Sequence, residues 1–91
     1  MRTETLEVYS DSSNSAVIRH PGRRFPGMLI QGDTLHNLSL SALAALADAV
    51  PESEQYYELK FLADDLCGRV EMYARVMKEH RLKLPFSHST E

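Results

Sequence analysis

Hydrophobic and polar residues alternate over Thr5–Ser10, with Leu6 and Val8 on one side and Thr5, Glu7 and Tyr9 on the other. A period of two with β-branched and aromatic residues predicts a strand. The polar run Asp11-Ser12-Ser13-Asn14-Ser15 suits a hairpin connection. Ala16–His20, centred on Val17 and Ile18, predicts a second strand. Pro21-Gly22-Arg23-Arg24-Phe25-Pro26-Gly27 reads as a loop with two Pro-Gly turns. Proline presets φ at the first central turn position and glycine accepts a positive φ at the next. Met28–Gln31 predicts a short third strand. The simplest arrangement is a three-stranded antiparallel meander with one face to cover.

From Gly32-Asp33-Thr34 the pattern changes. Asp33 or Thr34 is placed to cap a helix, with Ser39 as a rival if the helix starts late. The helix runs through a Leu- and Ala-rich segment to Ala49, where Pro51 ends it. It has no charged residue between Asp33 and Asp48, which predicts burial on more than one side. A second, long helix is predicted from Ser53 to about His80. Tyr56, Leu59, Ala63, Leu66, Val70, Tyr73 and Met77 recur at a 3-4 spacing, widened by Leu62, Cys67 and Ala74. Ser53 is the predicted N-cap. Acids Glu52 and Glu54 lie near the positive end of the helix dipole, and Lys78, His80, Arg81 and Lys83 near the negative end. Asp65–Arg69 and Glu71–Arg75 have i,i+4 spacing with the acid first, the better order. The fold class is α+β: a meander followed by two helices.

At about 1.5 Å per residue the second helix is roughly 40 Å long, more than the ~30 Å width of a compact chain of this size. It either bends near Gly68 or overhangs. An overhanging apolar stripe needs cover, so we expect a homodimer, formed through the Tyr56–Met77 stripe or through the first helix. Residues 1–83 are expected to form a single domain, with 84–91 a disordered tail that is polar apart from Leu84 and Phe86.

Composition narrows the compartment more than the activity. The chain has 91 residues, 43% of them hydrophobic and 25% charged, which is globular rather than disordered. A domain this small hides only about 60–65% of its unfolded surface, and a partner subunit is one remedy. Cys67 is the single cysteine, so no intrachain disulfide forms and a reducing compartment is favoured. Met1–Asp11 is polar and acidic, unlike a signal peptide. Thr34–Ala47 is too short and too polar to span a membrane. The expected location is the cytoplasm. A net charge of −3 argues against a chain dominated by nucleic-acid binding.

Catalytic chemistry finds little support. Cys67 lies on the apolar stripe, where a thiol is inert, and no serine sits in a Gly-x-Ser-x-Gly setting. His20, His36, His80 and His88 are scattered, so no metal set is expected. At Gly32-Asp33 a carboxylate would itself occupy the place of an anion at the helix start, which favours a cap over a phosphate site. No catalytic residue, metal or cofactor is expected.

One cluster stands out. Arg19, His20, Arg23 and Arg24 fall within six residues beside Phe25, and no acid occurs between Asp11 and Asp33. The meander gathers them at one end of the sheet. Arginine offers a planar fork for carboxylate or phosphate and stacks on aromatic rings. Pairing with Glu4 or Glu7 would reduce the cluster to a solvated hairpin tip. The same region, Pro21-Gly22-Arg23-Arg24-Phe25-Pro26-Gly27 followed by Ile30-Gln31-Gly32-Asp33-Thr34-Leu35, resembles a family of short uncharacterised bacterial proteins sharing a P-G-R-x-F-P-G-x-x-I-Q-G-D segment. The resemblance covers Ala16–Leu35 and implies a bacterial source, with no activity to transfer. The leading reading is a non-enzymatic interaction module that binds an acidic protein partner through Arg19, His20, Arg23, Arg24 and Phe25. A nucleic-acid or anion binder using the same loop is the alternative, followed by an enzyme whose site assembles His20 and His36 across a dimer interface.

Overall fold

The structure, a computed structural model, describes residues 1–12 and 15–87. It contains three strands, β1 (Glu7–Ser10), β2 (Ser15–Arg19) and β3 (Gly27–Ile30), then two helices, α1 (Gly32–Asp48) and α2 (Glu54–Glu79). The fold is therefore α+β, a meander followed by two helices with the second one long. The chain divides into two compact units, one over Met1–Gln31 and one from Gly32 onwards.

In the sheet unit the strand order is β1-β2-β3 and both pairings are antiparallel. Val8 lies opposite Ile18 and Glu7 opposite Arg19, but Ser10 lies opposite Val17, so a bulge at Tyr9 interrupts the ladder. β3 pairs regularly with β2, from Ser15 opposite Ile30 to Ile18 opposite Gly27. The predicted β1–β2 connection lies partly outside the described residues, at Ser13 and Asn14.

The turn after β2 closes when the Arg23 N–H donates to the His20 carbonyl at 2.9 Å. Pro21 supplies the preset φ, but no glycine in the described chain has a positive φ. The turn is thus type I, and the positive φ expected at Gly22 is corrected. The type II signature appears instead between the helices. There the Ser53 N–H donates to the Val50 carbonyl at 3.2 Å, Pro51 comes first, and Glu52 follows with φ 65°.

In the helical unit, α1 packs along α2. The stripe predicted on α2 faces this contact: Ala63 and Val70 are buried, and Tyr56, Leu59, Leu66, Tyr73 and Met77 are half-buried. On α1 the buried positions are Gly32, Ser39 and Ala42. Small side chains at the seam let two helix backbones approach closely. Ser39 is not a cap. It sits inside α1 with its hydroxyl donating to the His36 carbonyl at 2.6 Å, which satisfies a buried polar group. Nor is α1 buried on several sides, since Leu38, Leu40 and Leu43 are exposed. Its lack of charge gave the wrong expectation, because leucine side chains tolerate a surface position far more readily than a charge tolerates burial.

Ser53 is the N-cap of α2, accepting from the Tyr56 N–H at 3.1 Å. At the other end the Leu82 N–H donates to the Met77 carbonyl and the Arg81 N–H to the Lys78 carbonyl. Arg81 takes φ 59°. This is a Schellman ending with arginine where glycine is usual.

With about 1.5 Å per residue, α1 is roughly 26 Å long and α2 roughly 39 Å, so α2 extends past α1. The chain then returns. Phe86 stacks on His36 of α1 at 4.0 Å between ring centroids, nearly parallel, and lies 6.2 Å from Tyr73 of α2. The tail expected at 84–91 falls partly outside the described residues, from His88 on.

Candidate functional site

The five residues singled out in the sequence belong to the end of β2 and the loop that follows it. Arg19, the last residue of β2, lies across from Glu7 in the β1–β2 register. Its Nε donates to Glu7 Oε1 at 2.7 Å, and Tyr9 Oη donates to the same oxygen at 3.0 Å. Two residues apart on the strand, Tyr9 and Glu7 share one side of it. A second Arg19 nitrogen, Nη1, donates to the Arg23 carbonyl at 3.2 Å and ties the strand to the loop.

The Arg19 bond lowers the Glu7 pKa, with help from Tyr9, and Glu7 in turn raises that of Arg19. The pair's contribution is therefore present above the ordinary carboxylate range and fades as pH falls through the lowered Glu7 value. Both groups remain solvent-accessible, so the pair is a modest positioning device rather than a stabilising anchor. Glu4 pairs elsewhere, with Arg2 at 2.9 Å.

Arg23 and Arg24 differ from Arg19. Neither forms an ion pair among the described residues. The Arg24 guanidinium lies 5.2 Å from the centroid of the Phe25 ring, a cation–π distance, and Phe25 is 70% exposed. His20 accepts the Gly22 N–H at Nδ1, 3.3 Å away, which leaves Nε2 as its outward N–H in the neutral form. These groups border an open concavity of about 470 Å³ whose remaining lining is Ile18, Gly27 and Met28. The clustered charges could be read from the sequence, but not the apolar part of this lining, for which the pairing of Ile18 with Gly27 is responsible. The register brings a residue without a side chain beside Ile18 and leaves space above it. The alternation of β2 could have pointed to Ile18, but not to its neighbour across the strands.

His36, Cys67 and the adjacent acids Asp64 and Asp65 belong to the helical unit. His36 stacks on Phe86 in the helical unit. Asp64 accepts from Lys60 at 3.1 Å and Asp65 from Arg69 at 3.0 Å, both along one helix. Cys67 is half-buried. Among the described residues no group of three or more His, Cys, Asp or Glu side chains is placed to hold a metal, and no helix is long and apolar enough to cross a membrane.

Compared with known families, residues 1–86 match one from the first strand to the residue that stacks on His36. The chain belongs to DUF6959, a family of unknown function. The DUF6959 match takes in both compact units and extends well beyond the Ala16–Leu35 segment. No curated protein and no solved structure gives a significant match.

Proposed function

We propose that this DUF6959 chain is a non-enzymatic interaction module of the bacterial cytoplasm that binds an acidic segment of a partner protein at the loop following β2. The observation that carries this reading is a pair of guanidinium groups without an ion pair among the described residues, Arg23 and Arg24, bordering a concavity that Ile18, Gly27 and Met28 also line. Cationic groups beside an apolar lining suit a carboxylate-bearing segment that also offers an apolar side chain. Arg19 has a different part in this scheme. Its charge is committed to Glu7, and its bond to the Arg23 carbonyl holds the loop in place. His20 adds its ring nitrogens and Phe25 an exposed ring.

The test is retention of partners from a nuclease-treated bacterial lysate, read beside Arg23→Glu/Arg24→Glu and checked with purified components. The expected result is a protein bound by the native chain, weakened at least about tenfold by the double reversal and weakened by salt. Equal binding by both chains would move the site off the loop. The exposed Phe25 beside Arg24 supports a second reading, a single-stranded nucleic-acid or anion binder, because an arginine and a ring together form a stacking platform. A salt-dependent titration with a short oligonucleotide separates the two readings.

A further inference from the structure

A three-stranded sheet has two edges, and the two here are built differently. On β1 the bulge at Tyr9 breaks the ladder and Glu7 sets a charge on the strand, both features that discourage a further strand. β3 has neither. Its register with β2 is unbroken, and its residues Gly27-Met28-Leu29-Ile30 are uncharged and all exposed. In an antiparallel ladder every second residue of an edge strand turns its N–H and C=O outward, so two of these four point theirs away from β2. The edge runs out of the basic loop. Arg23, Arg24 and Phe25 lie just ahead of β3, and Gly27 and Met28 line the same concavity as these three. No acid occurs between Asp11 and Asp33, so the loop itself offers Arg23 and Arg24 no counter-ion. A Cβ built at Gly27 would meet nothing within 4 Å, and its φ is not positive. Neither packing within the chain nor backbone conformation therefore calls for glycine there, and a strand glycine of that kind leaves room for another chain to come close.

We propose that the acidic segment of the partner protein binds as a fourth strand, antiparallel to β3, with its carboxylates at the C-terminal end of the added strand beside Arg23 and Arg24. This binding mode rests on the acidic-segment reading above and adds the segment's conformation and direction. Main-chain hydrogen bonds along β3 supply affinity, and the charges set the register. Antiparallel pairing continues the order of the sheet and is the more stable per residue. It carries the segment from Ile30 towards Gly27, so the residues past Gly27 reach the loop. The side chain level with Gly27 leans over it towards Ile18, which the register sets opposite Gly27. A second copy of this chain is the poorer occupant, because an uncharged β3 brings no acid on the paired strand to Arg23 or Arg24.

The test is an NMR titration of the full chain with a capped synthetic peptide, alternating valine and threonine followed by a run of glutamates, with amide hydrogen exchange as a second readout. Exchange at two alternate amides of β3 should slow at least about tenfold in the complex. Placing the glutamates first should weaken binding at least about tenfold, as should Arg23→Glu/Arg24→Glu. N-methylation of one alternate set of peptide residues, the valines or the threonines, should weaken binding to a similar degree, and N-methylation of the other set should not. Gly27→Val suits a strand yet should also weaken binding, so that loss cannot come from unfolding. A peptide that depends on Arg23 and Arg24 but leaves the β3 amides unchanged, or tolerates both N-methylated forms, overturns the added strand and leaves the acidic-segment reading in place. Binding that ignores the charge reversal overturns both. Equal binding of the reversed peptide, or no binding of any of these peptides, overturns the added strand. So does slowed β3 exchange in the free chain that deepens with its concentration, which would put a second copy on this edge.

Discussion

Gly32 lies buried against the Tyr73 ring, and a methyl group added there would overlap that ring. Its φ is not positive, so it owes its place to close approach rather than to backbone freedom. Gly32→Ala should destabilise the helical unit by about 1–3 kcal/mol, the range for overpacking a filled site. Tyr73→Leu should be destabilising alone but remove most of the further cost of Gly32→Ala, as chemical denaturation of the double-mutant cycle would show. From the sequence Gly32 was legible only as punctuation between strand and helix, since its function depends on a residue 41 positions later. The arginines show the same limit. Their clustering could be read directly, but that Glu7 engages Arg19 rather than Arg23 or Arg24 depends on strand register.

The ends of the helices were more legible than their surroundings. Ser53 acts as the cap its position suggests, because a cap is decided within a few residues of chain. The αL residues were not legible, because glutamate and arginine occupy Glu52 and Arg81, where glycine would have announced a positive φ. A side chain in that region costs about 1–2 kcal/mol, partly offset in glycine by its larger unfolded-state entropy. Arg81→Gly should therefore raise the stability of α2 by about 0.5–1 kcal/mol in thermal or denaturant melts, with the Schellman bonds at Leu82 and Arg81 retained. The two Pro-Gly turns gave the opposite error. Gly22 announces a positive φ that the type I turn does not use, and the Cβ of an alanine there would make only an ordinary contact with His20.

Across the whole chain, the order of three strands and two helices could be read from periodicity, since each element carries its own pattern. The composition of the buried core could not. Among the described residues it consists of Ala42, Ala63, Val70 and Ala74 with Gly32 and Ser39, so large side chains contribute partial rather than complete burial. Small residues give weak hydrophobic signals in a sequence, yet they fix how near two helices come. Phe86 likewise stood out only as an apolar residue in a polar stretch, although its ring meets both helices. That stacking has a consequence for chain connectivity. It holds the last described residues beside the N-terminal half of α1, so Gly32 and Ser87 belong to neighbouring segments of the described helical unit. A short linker from Ser87 to Gly32, with new termini opened between Pro51 and Glu52, would give a circular permutant of that unit with every ring contact kept. Such a permutant should show the helical dichroism of the parent fragment. The fold of this unit would then be specified by the faces of its helices rather than by the order in which they are joined.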